Sequence, residues 1–544
     1  SATGRDLEIA GEIKASVFPV LGVDLERASL SNPQGYSSKH MLQVEKMTVE
    51  VGLMALLRKE IQVKRFILVK PVIHLETNSA GKPNWEFAPA TAEVKAEQQP
   101  VAKANPEASA AMVSGLMLGQ LKVSDGEIHY RDSQTKNSIA LTELSLNSSL
   151  ASLSSPFSLD GSAVWNKDKV VVNVSVEDPS AFISNKPSSF EISVNAPKIK
   201  LQYEGKLTQT AASGRTEISS PSLPQLAQWT GSAFEWNGSQ PLSLDAKGQL
   251  DCSLSGCTLQ DGDIQLDDIT AKGHLRVVTS GKVPSIEANL NTNVLDINPY
   301  LPAKKADNAW FISPAYAKEW SSQRIDLDGL RNVEAKVNLI ADGVVYEKIT
   351  LGKTTVNAIL SGGTLKLVVP EASLYGGTVK LNTTLAESGA LHSDINLQNV
   401  KAEPFLADAA GYDKLSGLLN LSASIGGKLL SERDFINSLG GNGNVQFTDG
   451  ALKGVDLAGM VRNLQSAYKD VDSSQQKTDF SELGGTFAIA GGVISNNDLA
   501  LKAPLLRLKG EGTVNLPMYS INYRLTPEIV ASMKGQGGKD KQGI

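Results

Sequence analysis

Apolar and polar residues alternate along most of this 544-residue chain. The stretch "KVVVNVSVED" puts Val170, Val172, Val174 and Val176 on one face and Asn173 and Ser175 on the other. "LLNLSASIGG" does the same with Leu419, Leu421, Ala423 and Ile425 against Asn420, Ser422 and Ser424. Val337 and Leu339 repeat the parity, as do Leu365, Leu367 and Val369, and "PLLRLKGEG" and "SINYRL" follow it. A period of two is the signature of a strand with one dry and one wet face. Among these runs stand "SDG" at Ser124, "ADG" at Ala341, "SGG" at Ser361, "TDG" at Thr448 and "AGG" at Ala490. Such Asp-Gly and Gly-Gly pairs supply the positive-φ positions of tight hairpin turns. The pattern therefore predicts a mostly β protein, a long antiparallel sheet made of successive hairpins with a few short helices.

Residues 1–90 read as one compact unit of strands, with a short helix around Leu53 to Arg58 and a closing turn, "SAGKPNWEF", that buries Trp85. Residues 91–115, rich in Ala, Pro, Glu and Gln and without a period, read as a linker or mobile loop. Strands resume from Leu116, giving a β-repeat region over 116–320 and a second β region over 321–530, before a flexible tail at 531–544. Two helical interruptions stand out. One lies near Leu223, and the other, near 455–470, carries Leu457, Met460, Val461, Leu464 and Tyr468 as an apolar stripe. That stripe reads as a helix packed on the sheet or plugging its end, rather than one offered to a partner. A long half-apolar sheet must cover its dry face. Either a second sheet packs on it, or it curls, as twisted strands favour, around something apolar. The alternation does not choose.

Composition narrows the function. At 41% apolar and 20% charged the chain can build a core, which excludes wholesale disorder. Fifty-two basic against 58 acidic residues, with no basic stripe, argue against nucleic acid as a partner. Cys252 and Cys257 flank a Ser-Gly turn at a spacing that suits a disulfide staple in an oxidising compartment, two free thiols being the alternative. No run approaches the ~18 apolar residues of a membrane helix, and no signal peptide opens the chain. Ser1 begins directly on strand-like material, so the chain reads as a fragment whose own start is missing.

Candidate chemistry is sparse. His40, His74, His129, His274 and His392 show no pair at ligand spacing, and neither a G-x-S-x-G elbow nor a P-loop is present. "GGNGNVQF" at Gly440 opens a strand rather than a phosphate-binding helix, and "DGDIQLDD" (Asp261 to Asp268) lacks the central glycine and distal glutamate of a calcium loop. No acid–base pair, metal site or cofactor site follows, and the chain does not read as an enzyme.

Three segments taken together resemble the AsmA family of Gram-negative envelope proteins. The head, "TGRDLEIAGEI…LMALLRKEIQVKRFILVKPVIHLETNSAGKPNW", looks like the family's chorein-like amino-terminal unit, related to bridge-like lipid transfer proteins. The middle, "WSSQRIDLDGLRNVEAKVNLIADGVVYEKITLGKTTVNAILSGGTLKLVVPEASLYGGTVKLNTTL", is similar to its central repeat. The tail, "LGGNGNVQFTDGALKGVDLAGMVRNL…FSELGGTFAIAGGVISNNDLALKAPLLRLKGEGTVNL", resembles its carboxy-terminal region. The resemblance implies a sheet curved into an apolar gutter, anchored in the inner membrane by an amino-terminal helix this chain lacks. It further implies a periplasmic location and conduction of phospholipid towards the outer membrane, with a membrane protein complex as a possible partner. The groove-side positions would be Val170, Val172, Val174, Val176, Val337, Leu339, Leu365, Leu367, Val369, Leu419, Leu421, Ala423 and Ile425. The competing reading is a structural or assembly factor of the envelope, with the same residues filling a closed core. An enzyme or carbohydrate binder would call for clustered carboxylates or exposed aromatics on one face, which six scattered tryptophans do not supply.

Overall fold

A computed structural model describes residues 5–17, 21–52, 62–86, 117–232, 236, 238–301, 319–454, 477–504 and 506–530. The helices expected around Leu53 to Arg58 and near 455–470, the linker at 91–115 and the tail at 531–544 lie outside the described residues. The chain is mostly β, with 28 strands among the described residues. It divides into two compact units, Ser1–Trp236 with Pro241–Leu254, and Asn237–Gln240 with Ser255–Ile544.

In the first unit the strands run from Leu7–Ile9 to Leu244–Ser253. Their pairing is antiparallel except where Met117–Asp132 runs parallel to both Gln62–Val69 and Val72–Thr77. A parallel pair needs a crossover rather than a hairpin, and the chain between Glu86 and Met117 has the length for one. Ala28, Val44, Leu68 and Val123 form the buried centre, with Phe66, Leu144 and Leu146 against it. The expected burial of Trp85 is corrected: Trp85 is 39% exposed, and its neighbour Asn84 is the residue taken fully inside. Asn84 goes in because each of its side-chain polar atoms finds a partner there, accepting from Glu76 N and donating to Asn32 Oδ1 and His74 O. The helix expected near Leu223 spans Leu223–Thr230, capped by Ser222 Oγ, which accepts from Gln225 N, and ended by Gly231 at φ 78°.

In the second unit the strands run from Gly256–Leu266 to Ser520–Ile529, antiparallel apart from the parallel pair Ser285–Asp296 and Glu334–Tyr346. The sheet is thus mixed rather than strictly antiparallel. Two α-helices are described here, Ala402–Ala410 and Glu432–Ser438.

The repeated glycine pairs fall into two classes. The Gly-Gly copies are hairpin turns as expected: Gly362 and Gly363 have φ 56° and 74°, Gly491 and Gly492 have 55° and 76°. The Asp-Gly copies are not turns. Asp125, Asp261 and Asp449 take φ 57°, 48° and 49° in the interior of strands Met117–Asp132, Gly256–Leu266 and Gly440–Lys453. The pairing slips beside each of them, between Val123 and Gly126, Leu259 and Gly262, and Ser416 and Leu418. They are β-bulges, in which a left-handed residue lets one strand carry an extra position and bend. Asp342-Gly343 likewise sits inside a strand, Glu334–Tyr346.

Candidate functional site

Directly opposed residues of an antiparallel or parallel pair share a face, so the register decides which predicted positions come together. In the second unit Val337 opposes Ala288 and Ala358, Ala358 opposes Leu367, and Leu367 opposes Thr383. The row continues from Thr383 through Ser393 to Ile425, then Gly441, Ile489, Ile494 and Val514. Val337, Leu367 and Ile425, taken from three separate stretches of sequence, therefore lie on one transverse line. The polar pair inside it is internally satisfied, Thr383 Oγ1 and Ser393 Oγ being 2.8 Å apart.

A second line joins Val369, Leu381, Ile395, Ala423, Gly443 and Phe487. Gly443 is required there: a Cβ would stand 2.5 Å from Phe487 Cζ, so the ring lies across the glycine. Leu365 opposes Leu360 and Leu385, and Leu339 opposes Leu290 and Val356, on the same apolar parity. In the first unit Val172 opposes Val194, and Val174 opposes Leu159 and Ile192. Val170 opposes Ala163 and Val176 opposes Phe157 and Phe190.

The face is not uniformly open. Leu419 is 3% exposed, in a cluster with Leu374, Leu397, Val400 and Ala402, against which Phe405, Leu406 and Leu421 pack. Helix Ala402–Ala410 covers the sheet there. Tyr375 fastens it: its hydroxyl donates to Asp408 and its ring meets Phe405 edge-on at 6.0 Å. Burial, and then the Asp408 carboxylate, push the Tyr375 phenol up to about 12. Val369 and Ala423 are also buried, whereas Val337, Leu339, Leu365, Leu367 and Ile425 are only half-buried.

The opposite face carries a trough of about 880 Å³ in the second unit. It takes three consecutive residues from each of several strands, such as Lys380 to Asn382, Asp394 to Asn396, Ser422 to Ser424 and Asn442 to Asn444. None of Leu367, Leu397, Leu421, Ile425 and Val445, the apolar-face neighbours two positions away, lines it. The walls are therefore polar-face side chains and the floor is backbone. Sequence reasoning missed this feature, although its signal, the Asn and Ser at alternate positions, was in view as the wet face.

Cys252 and Cys257 are disulfide-bonded. Among the described residues no group of three or more His, Cys, Asp or Glu could hold a metal ion, and no helix is long and apolar enough to cross a membrane.

Comparison with known proteins adds the following. A sequence model described as the AsmA family matches residues 1–225 and 230–499. Protein AsmA of Escherichia coli (strain K12) is 22% identical over 98% of this chain and 82% of its own length.

Proposed function

Because the chain belongs to the AsmA family of bacterial envelope proteins, we propose that its apolar face conducts phospholipid through the periplasm between the inner and outer membranes. One observation supports this above others: the transverse line from Ala288 through Val337, Leu367 and Ile425 to Val514 stays largely apolar from strand to strand. Acyl chains are held by area alone, about 25 cal/mol for each Å² removed from water. A track of similar side chains therefore offers many equivalent positions and no single trap. No catalytic group is needed, and any energy source would lie in a membrane partner.

The runner-up, a scaffold or assembly factor with a side-chain-filled core, draws on the closed cluster around Leu419 and helix Ala402–Ala410. Native mass spectrometry of the protein released gently from membranes tests the two. Phospholipid is expected as a bound species, with more than one adduct per chain. Recovery of the bare polypeptide alone, across several preparations, would abandon the conduit.

A further inference from the structure

The trough on the polar face has a composition that the lipid reading does not use. One wall is the cross-strand row Lys380, Asn396, Ser422, Asn444 and Thr486. The other is Asn382, Asp394, Ser424, Asn442 and Ala488. Its formal charges are Lys380, whose Nζ is 3.4 Å from Glu371, and Asp394, whose neighbour His392, with Nε2 at 3.4 Å, offsets it only when protonated. What remains is neutral. Asn382, Asn396, Asn442 and Asn444 contribute four carboxamides to the lining, and three of them, Asn382, Asn442 and Asn444, are exposed.

From this geometry we infer that the trough binds an extended neutral glycan. A carboxamide offers both donors and an acceptor, which is the complement of a sugar hydroxyl, itself both donor and acceptor. An anionic ligand would be repelled by the Asp394 carboxylate, and an apolar one would cover the amides without giving them partners. The spacing agrees as well. Successive positions along each wall are one strand apart, ~4.8 Å, close to the advance of one pyranose ring in an extended β-1,4-linked chain. Each sugar would thus meet one strand's pair of wall residues. Recognition here rests on hydrogen bonds rather than on an aromatic platform, because the ring of Phe487 lies on the other face across Gly443.

The experiment uses the full chain and a fluorescently labelled hexasaccharide of β-1,4-linked N-acetylglucosamine, with binding read by anisotropy. Saturable binding is expected, little changed by salt because no ion pair forms, and far stronger than that of the monosaccharide. The double variant Asn396→Ala/Asn444→Ala should weaken it by about tenfold or more, as loss of two well-made hydrogen bonds does, with an unchanged melting curve. Asn382→Ala/Asn442→Ala, on the other wall, should do the same. Ile425→Asp, on the apolar face, should leave glycan binding intact, so a failure of the conduit reading does not imitate a failure here. No saturable binding at millimolar hexasaccharide, equal affinity for the monosaccharide, or full affinity in both double variants would overturn the inference.

Discussion

Asn84 Nδ2 donates to Oδ1 of Asn32 at 2.9 Å, tying together residues 52 positions apart. The same nitrogen donates to His74 O at 2.7 Å, and Oδ1 accepts from Glu76 N at 3.0 Å. Asn84 is 0% exposed, so truncation would leave a buried N–H and a buried C=O without partners. Asn84→Ala is expected to cost about 2–4 kcal/mol, and Trp85→Ala, at a half-exposed site, clearly less. Urea unfolding of both variants checks the order; a larger loss from Trp85→Ala would restore the tryptophan as the anchor of this turn.

Glu76 gives the first unit a pH dependence. Its side chain is 4% exposed overall, and burial alone would raise the carboxyl. Ser37 N and Oγ, both at 2.7 Å, and Ser38 N at 2.8 Å donate to it and hold it below its ordinary value instead. A folded-state value below the unfolded one, ~4.3, means the stabilisation is complete above that pH. It is lost as pH falls through the folded value. The stability gap between wild type and Glu76→Gln should therefore be constant near neutrality and shrink below about pH 4.3. A gap that widens in acid would show the sign to be wrong.

The parity of each strand was legible in the sequence because successive side chains alternate between its two faces. That Val337, Leu367 and Ile425 fall on one transverse line was not, because it depends on the register of the strands between them. The role of the Asp-Gly pairs was not legible. Asp449-Gly450 and a hairpin Asp-Gly use the same backbone freedom, and only the partner strands on both sides distinguish a bulge from a turn. The parallel pairs with Met117–Asp132 were hidden for a related reason, since they depend on which strands a crossover brings together. The polar trough was present in sequence as Asn442, Asn444 and Ser422. Its concavity is a property of aligned strands and has no local signature.

The bulge at Asp449 makes the distinction measurable. Asp449 has φ 49°, a conformation glycine takes without strain, so Asp449→Gly should change stability by no more than about 1 kcal/mol in either direction. Gly450 is constrained by space: a Cβ would stand 2.2 Å from Ser416 O and 2.5 Å from Phe480 Cζ. Gly450→Ala should cost more than about 2 kcal/mol, as overpacking against backbone does. Were Asp-Gly a free hairpin turn, both substitutions would be mild, and thermal unfolding of the pair reads the difference.

Helix Ala402–Ala410 should loosen when its fastening to Tyr375 is cut. Tyr375→Phe removes the hydroxyl that donates to Asp408 while keeping the ring against Phe405. Loss of a charge-assisted hydrogen bond predicts about 1.5–3 kcal/mol of lost stability. Amide exchange should accelerate in the helix first. Exchange that stays slow throughout Ala402–Ala410 would mean that the packing of Phe405 and Leu406 alone holds it.

Two positions on one strand separate a conduit from a filled core. Leu421 opposes Leu397 and Val445 and packs against the buried cluster under helix Ala402–Ala410. Ile425, four residues along on the same face, opposes Ser393 and Gly441 and is half-buried. Leu421 is half-buried as well, but its contacts are with the buried cluster, so a carboxylate there would be set against Leu397, Leu419 and Val445 and break that packing, at a cost of several kcal/mol. At Ile425 the same group can hydrate, because nothing as large as a leucine stands opposite it. Leu421→Asp is therefore expected to melt far below wild type. Ile425→Asp should melt close to wild type while losing photo-cross-linking to phospholipid from a probe placed at Leu367, three strands away on the same transverse line. If Ile425→Asp collapses as Leu421→Asp does, the whole face is a closed core and the scaffold reading takes the conduit's place.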